Sequence, residues 1–292
     1  MLGRGYRGGQ SMDDTARYNR ERWEELARAG VGYSRPRLDL DAESARRCVD
    51  PEGLLGRLRG RRVLCLAGGG GQQSAAFALL GARVTVLDLS PTQLERDREA
   101  ARHYGVSVRT VEGDMRDLSA FADRSFDVVW HAHSLNFVPD APRVLSEVAR
   151  VLRRGGRYRL FSTNPFVHGA WDRWNGSGYL LEQPYVDGAR VHYDDPHWDV
   201  EQPDGSVRRI PGPHEFRHSL STIANTLVRE GFVILGVRET RTDPPGPAGA
   251  GNATLRPGSW EHFTSIAPPY LSVVAARRPV LLRRLLARSR RR

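Results

Sequence analysis

The chain has 292 residues, 39% of them hydrophobic, with 44 Lys+Arg against 34 Asp+Glu and a net charge of +10. That length suits one α/β domain with an elaborated cap, or one and a half domains. It shows no run near the ~18 apolar residues of a membrane span. It also has no apolar signal segment behind Met1 and only two cysteines, Cys48 and Cys65, so a reducing cytoplasm is the expected setting.

In chain order, residues 1–12 are expected to be disordered, and residues 1–60 to form a flexible segment followed by a helical cap. Asp13–Ala29 places Tyr18, Trp23, Leu26 and Ala27 on one helical face, and a short helix is expected near Asp41–Cys48. Val63-Leu-Cys-Leu then runs into Ala67-Gly-Gly-Gly-Gly71, and the helix-like series Ala75, Ala76, Phe77, Leu79, Leu80 follows. That is strand, tight Gly turn, helix. A Cβ there would keep a ligand off the backbone, and the next helix start offers N–H groups. Val84–Asp88 is a second strand ending in a carboxylate, a group placed to accept both hydroxyls of a ribose. Ser90 and Pro91 form an N-cap and first helical residue. Strands are expected at Val106–Val111, Ser125–Trp130 and Tyr158–Phe161, with Asp140 capping a helix that begins at Ala141-Pro142.

The stretch from about Val63 to Phe166 resembles class I S-adenosylmethionine-dependent methyltransferases, in particular the type 11 methyltransferases related to the ubiquinone and menaquinone methylases. Four pieces carry the resemblance: the loop Ala67–Gly71 at the GxGxG position, Asp88 at the ribose acid, Gly113-Asp114-Met115 at the adenine flank, and Val151-Leu-Arg-Arg-Gly-Gly156 at the turn before the fifth strand. The resemblance implies a Rossmann-like, doubly wound α/β fold. Its seven-stranded sheet would have the last strand antiparallel, and the late strands Gly231–Val237 and Tyr270–Ala275 suit that. It implies S-adenosyl-L-methionine as cofactor, held by Ala67, Gly68, Gly69, Gly71, Gln72, Asp88, Leu89, Gln93, Asp114, Met115 and His131. One departure stands out. The acid that the family usually carries two residues before its first motif Gly is Cys65 here, and that Gly is Ala67. Gln72, Gln73 or the segment around His131 is left to supply the polar contact.

On this plan residues 61–163 are the cofactor-binding core, 164–214 an aromatic-rich lid insertion over the acceptor site, 215–278 the completion of the core and 279–292 a basic tail. The insertion holds Trp171, Trp174, Tyr179, Tyr185, Tyr193 and Trp198, which either stack on an acceptor or form the lid's own core. Within it, Trp198–Gln202 and Val207–Ile210 flank the hairpin signal Asp204-Gly205. A helix over Ser219–Glu230 and a Pro/Gly loop over 243–258 follow.

The expected reaction is methyl transfer by in-line displacement to a small-molecule O, N or C acceptor. His131, His133, His214 and His218 are the candidates to take a proton, with structural histidines as the alternative at each position. His214, Glu215 and His218 lack a further ligand cluster nearby, so no metal is expected. No Asn-Pro-Pro-Tyr follows the fourth strand, and Asn164-Pro165-Phe166 follows the fifth instead, so no nucleic-acid partner is expected. Residues 277–292 hold eight Arg and no acid. Their apolar and basic alternation suits either a helix touching acidic lipid or an acidic partner, or a solvated terminus. Two other classes share the Gly turn: a nicotinamide-dependent oxidoreductase, and a non-catalytic binding protein on the same fold.

Overall fold

The computed structural model describes residues 13–194, 199–201, 204–241 and 255–278. Trp198, Gln202, Pro203, residues 1–12, the basic tail 279–292 and most of the 243–258 loop lie outside them.

Helix α1, Asp14–Ala29, starts where the Asp13 carboxylate accepts the Ala16 N–H at 2.8 Å and stops at Gly30, whose φ of 67° is left-handed. Helix α2, Ala42–Val49, opens with a reciprocal capping box between Asp41 and Ser44. Then come β1 (Arg62–Leu66), α3 (Gln73–Leu79), β2 (Arg83–Asp88), α4 (Pro91–His103), β3 (Val108–Glu112), β4 (Phe126–His131), α5 (Ala141–Val151) and β5 (Leu152–Thr163). Ser90 and Asp140 cap α4 and α5 as their sequences predict. Four short strands follow: β6 (Arg190–Val191), β7 (Asp199–Glu201), β8 (Val207–Arg209) and β9 (Glu215–Phe216). Helix α6 (Leu220–Arg229), β10 (Phe232–Thr240), α7 (Trp260–Ile266) and β11 (Tyr270–Arg277) complete the chain.

Seven strands form one sheet in the order β3–β2–β1–β4–β5–β11–β10, with β11 antiparallel to both its neighbours. This is the expected doubly wound α/β sheet. Both faces are covered, so the central strands are nearly continuous apolar runs. Leu64, Leu66, Val129 and Leu160 turn toward α5 and α6, where Val144, Leu145, Val148, Ile223 and Leu227 meet them. Val63, Cys65, Val128 and Trp130 turn toward α2 and α3, against Ala45, Val49, Ala76 and Phe77. The strand order reverses between β1 and β4, which opens a crevice at their carboxyl ends.

Two details differ from the sequence expectation. Gly155-Gly156 is not a turn ahead of β5 but lies within it, beside a register irregularity with β4. A Cβ on Gly156 would come within 2.8 Å of the Asp127 carbonyl oxygen, so the close strand approach needs the glycine. Helix α7 was not anticipated, and it is the partner of the insertion's aromatics. Trp171 meets Trp260 edge-on at 6.0 Å, Trp174 meets His262 at 4.9 Å and Tyr179 meets Phe263 at 4.9 Å. These rings form a satellite core of their own. The β7–β8 hairpin is present. No helix among the described residues is long and apolar enough to cross a membrane.

Candidate active site

A pocket of about 370 Å³ opens in the crevice. Ala67, Gly68 and Gly69 after β1, Asp88 and Leu89 after β2, and Asp114 and Met115 after β3 line one end. The other end carries His133, Tyr193, Glu215 and Tyr270, and Asn19 and Trp23 of α1 form a wall between helix and sheet.

At the loop, three successive N–H groups point inward to carboxylates. Gly69 donates to Asp88 Oδ2 at 2.9 Å, Gly70 to Asp97 Oδ2 at 3.2 Å and Gly71 to Asp97 Oδ1 at 3.1 Å. Asp88 also accepts the Ser90 N–H at 2.9 Å, and burial raises its pKa. A pyrophosphate would need these N–H groups free and would face two carboxylates. The geometry therefore argues against a dinucleotide. Gly71 does not line the pocket. Its φ is 72°, and a Cβ there would sit 2.5 Å from the Arg96 carbonyl oxygen, so it serves the packing of the loop on α4. Ala67 holds a left-handed φ of 43° without being glycine. Gln72 lines the pocket, but its amide is committed to the carbonyls of Tyr33 and Arg35. Gln93 is buried beside Asp88 and lines the pocket, and its Oε1 has no hydrogen-bond partner among the described residues. An orphaned acceptor next to a carboxylate suits a ligand bringing two hydroxyl donors, as a ribose does.

Arg116 reaches both Asp114 oxygens and bridges to Asp13, the cap of α1, at 2.5 Å. Two further residues tie α1 over the crevice. Asn19, fully buried, donates to the carbonyls of Phe137 and His214 and accepts the His214 N–H. Glu24 accepts from the Ser90 hydroxyl, the Thr92 N–H at 2.9 Å and the Thr92 hydroxyl at 2.7 Å, so it caps α4 from another helix. Burial opposes its charge, but these hydrogen bonds hold its pKa below 4.5. Its ionised form therefore stabilises the fold above pH 4.5, and that contribution is lost as the pH falls through the lower folded value. Replacing Glu24 with Ala is expected to cost about 1–2 kcal/mol, read from urea denaturation at pH 7, and less at pH 3.

At the far end, His133 Nε2 lies 2.7 Å from the Thr163 hydroxyl, with Tyr270 edge-on at 5.5 Å. Glu215 is buried and accepts from Asn136 at 2.7 Å, His168 at 2.9 Å and Tyr193 at 2.6 Å. Burial opposes its ionisation, and the hydrogen bonds from His168 and Tyr193 outweigh it, so its pKa is lowered.

The other three histidines do not face the pocket. His131 is fully buried with Nδ1 on the Tyr158 hydroxyl at 2.9 Å, and burial pushes its pKa down to about 3. Its side chain turns to the Tyr158 side of the sheet and does not line the pocket. His214 stacks on Tyr18 at 4.0 Å. His218 is buried on the Val138 carbonyl at 2.8 Å. Of the aromatic set, Tyr193 alone among the described residues lines this pocket. Asp97, Glu24, Asn19 and Arg116 carry no role in the sequence reading, and Glu215 enters it only beside His214 and His218 as a metal-ligand pattern. Asp97 did leave a signal: with Gln93 and Ala100 it falls on the buried face of α4, where an acid is out of place.

Residues 64–160 match the family model described as a methyltransferase domain. The chain is 38% identical over 188 residues to the uncharacterized methyltransferase YbaJ of Bacillus subtilis (strain 168), covering 63% of this chain and 70% of that one. It is 36% identical over 107 residues to the ubiquinone biosynthesis O-methyltransferase of Xanthomonas euvesicatoria, covering 37% of this chain and 45% of that protein's length. The fold superposes on an S-adenosylmethionine-dependent methyltransferase from Mesorhizobium loti with a TM-score of 0.58 and 24% identity, over 82% of this chain and 100% of the other, which is a likeness of fold. These matches join the sheet order and the carboxylate-filled glycine loop in one conclusion: the chain belongs to the class I S-adenosylmethionine-dependent methyltransferases, and S-adenosylmethionine is its cofactor.

Proposed function

We propose that the enzyme methylates a small molecule bound at the His133–Tyr193–Glu215–Tyr270 end of the pocket. Ala67, Gly68, Gly69, Asp88, Leu89, Gln93, Asp114 and Met115 hold the cofactor at the other end. The observation that carries this reading is that one continuous pocket of about 370 Å³ joins both groups of residues. That volume suits small ligands.

The bound cofactor supplies a methyl group already activated by its sulfonium charge. The residues then have to align the acceptor and exclude water. Asn19 and Trp23 wall the crevice from the α1 side. Glu215 takes the Tyr193 hydroxyl proton as a hydrogen bond, so the phenol oxygen meets a ligand as an acceptor. An oxygen or nitrogen acceptor must also lose a proton. His133 is the candidate for that role, because it is the one of the four histidines that lines the pocket and the Thr163 hydroxyl fixes its ring.

Titration calorimetry with S-adenosylhomocysteine, with NADH as control, tests the cofactor end. Low-micromolar binding of the former alone is expected, and absence of that binding overturns the reading. Turnover of labelled cofactor against a panel of phenols, amines and quinols tests the acceptor end. The His133→Ala variant should keep S-adenosylhomocysteine binding and lose roughly 10²–10⁴-fold in kcat with an O or N acceptor. Unchanged kcat would remove His133 from the proton transfer.

A further inference from the structure

The glycine loop is held from α4 and not from the strand that leads into it. Asp97 is fully buried. It accepts the N–H groups of Gly70 and Gly71 at 3.2 and 3.1 Å, and the Ser74 hydroxyl at the start of α3 donates to it as well. One carboxylate thus joins the loop, α3 and α4. Cys65 of β1 is also fully buried. Burial pushes the Cys65 thiol well up, and the Asp97 charge adds to that push. Gly69, whose N–H goes to Asp88, has no room to adjust. A Cβ there would lie 2.6 Å from Gln93 Cβ and 3.0 Å from the Asp88 carboxylate. The loop is thus a tightly fitted strip of backbone with two carboxylates and the Gln93 carbonyl, 3.1 Å from the Gly70 nitrogen, as its acceptors.

We propose that Asp97 is the positioning residue of the cofactor loop, a carboxylate supplied by α4 where β1 offers Cys65, and that cofactor affinity follows its ionisation. This rests on the reading of the loop as the cofactor cradle. The ionised carboxylate accepts from three donors at once. When it takes up a proton, the Ser74 hydroxyl can turn to accept it, but the Gly70 and Gly71 N–H groups then face a neutral carboxyl, a weaker acceptor than the carboxylate. The loop is then held less tightly.

The groups acting on Asp97 make that change accessible near neutral pH. Burial is the largest influence, the hydrogen bond from Ser74 opposes it, and the Asp88 charge at the end of β2 adds to it, with a resulting pKa of about 7. The Asp97 charge acts on the Cys65 thiol of β1, and the backbone N–H groups of Gly70 and Gly71 face Asp97 from the loop. The arginines closest in sequence on α4, Arg96 and Arg98, pair with Glu99 and Glu95.

The test measures S-adenosylhomocysteine affinity of the full chain by calorimetry from pH 5.5 to 8. In the wild type the apparent Kd should rise by up to about tenfold for each pH unit below 7. Asp88 titrates in the same environment, so the profile alone does not assign the group. D97N assigns it. This variant presents one acceptor and one donor at every pH, so it should bind at least tenfold more weakly at pH 8 and lose the Asp97 part of the pH dependence. A second pair of variants reports on placement. D97A should bind weakly, and C65D/D97A, which offers a carboxylate from β1 instead, should regain most of the affinity. Restoration from a different element is not expected of a residue that merely fills space. D97N matching the wild type in affinity and profile, or C65D/D97A binding no better than D97A, overturns the proposal. Absence of wild-type binding overturns the cradle reading instead, so the two failures are distinguishable.

Discussion

The Asp88→Ala variant is expected to lose S-adenosylhomocysteine binding by about 10²–10⁴-fold while remaining folded. Asp88 stands at the carboxyl end of β2, lines the pocket, and has one oxygen on the Gly69 N–H and the other on the Ser90 N–H. A carboxylate has about four acceptor sites, so both oxygens can still accept from a ligand. Two hydroxyl donors to an ionised acceptor contribute about 1.5–3 kcal/mol each, which sets the size of the loss. The fold should tolerate the change because removing Asp88 also removes a buried charge whose burial is unfavourable. The Asp88→Asn variant is the finer probe. It keeps the shape, exchanges one acceptor for a donor, and should lose less than Ala. Calorimetry of both variants, with circular dichroism to show that they are folded, checks the outcome. Near wild-type affinity in Asp88→Ala would move the ribose site elsewhere in the pocket.

What the sequence made legible follows from the range of the interactions involved. Helix starts at Asp41, Ser90 and Asp140 are written in three-residue chemistry, side chain to N–H, and each is found in place. The central strands were visible because the sheet is buried on both faces, which leaves apolar runs such as Val63–Leu66. The positions of Asp88 and Asp114 at strand ends were legible for the same reason. The walls of the pocket were not. Glu24 acts on Ser90 and Thr92, Asn19 on Phe137 and His214, and Asn136 on Glu215, all between residues far apart in the chain. No local pattern records such pairs. The histidines show the limit most clearly. His131 and His133 both stand at the end of β4, but alternation stops there. One turns into the layer beneath the sheet against Tyr158, and the other into the pocket against Thr163. Likewise, the rings of Trp171, Trp174 and Tyr179 were ambiguous until α7 supplied their partner.

Stability should depend heavily on a buried ion pair that lies outside the pocket. Arg159 of β5 is fully buried, 3.5 Å from the Glu52 carboxylate, whose side chain is also buried. The guanidinium sits 5.4 Å from the centre of the Trp130 ring and 5.9 Å from that of Phe161. Its Nε and Nη2 have no hydrogen-bond partner among the described residues. Such a pair is poorly compensated: desolvation of each ion costs several kcal/mol, and mutual attraction at this separation offsets that only in part. Removing the anion alone leaves a charge that cannot reach water. The Glu52→Leu variant is therefore expected to lose about 3–5 kcal/mol, a large share of the ~5–15 kcal/mol that holds a typical domain together. The double variant Glu52→Leu/Arg159→Met removes both charges and keeps the volume, and it should return to within about 1 kcal/mol of the wild type or exceed it. Urea denaturation of the four proteins gives the cycle directly. Neither residue lines the pocket, so S-adenosylhomocysteine affinity at temperatures where the variants are folded should be unchanged. A cost below about 1 kcal/mol for Glu52→Leu would mean that the guanidinium reaches solvent once its partner is gone, and that the aromatic pair around it opens more readily than its burial implies.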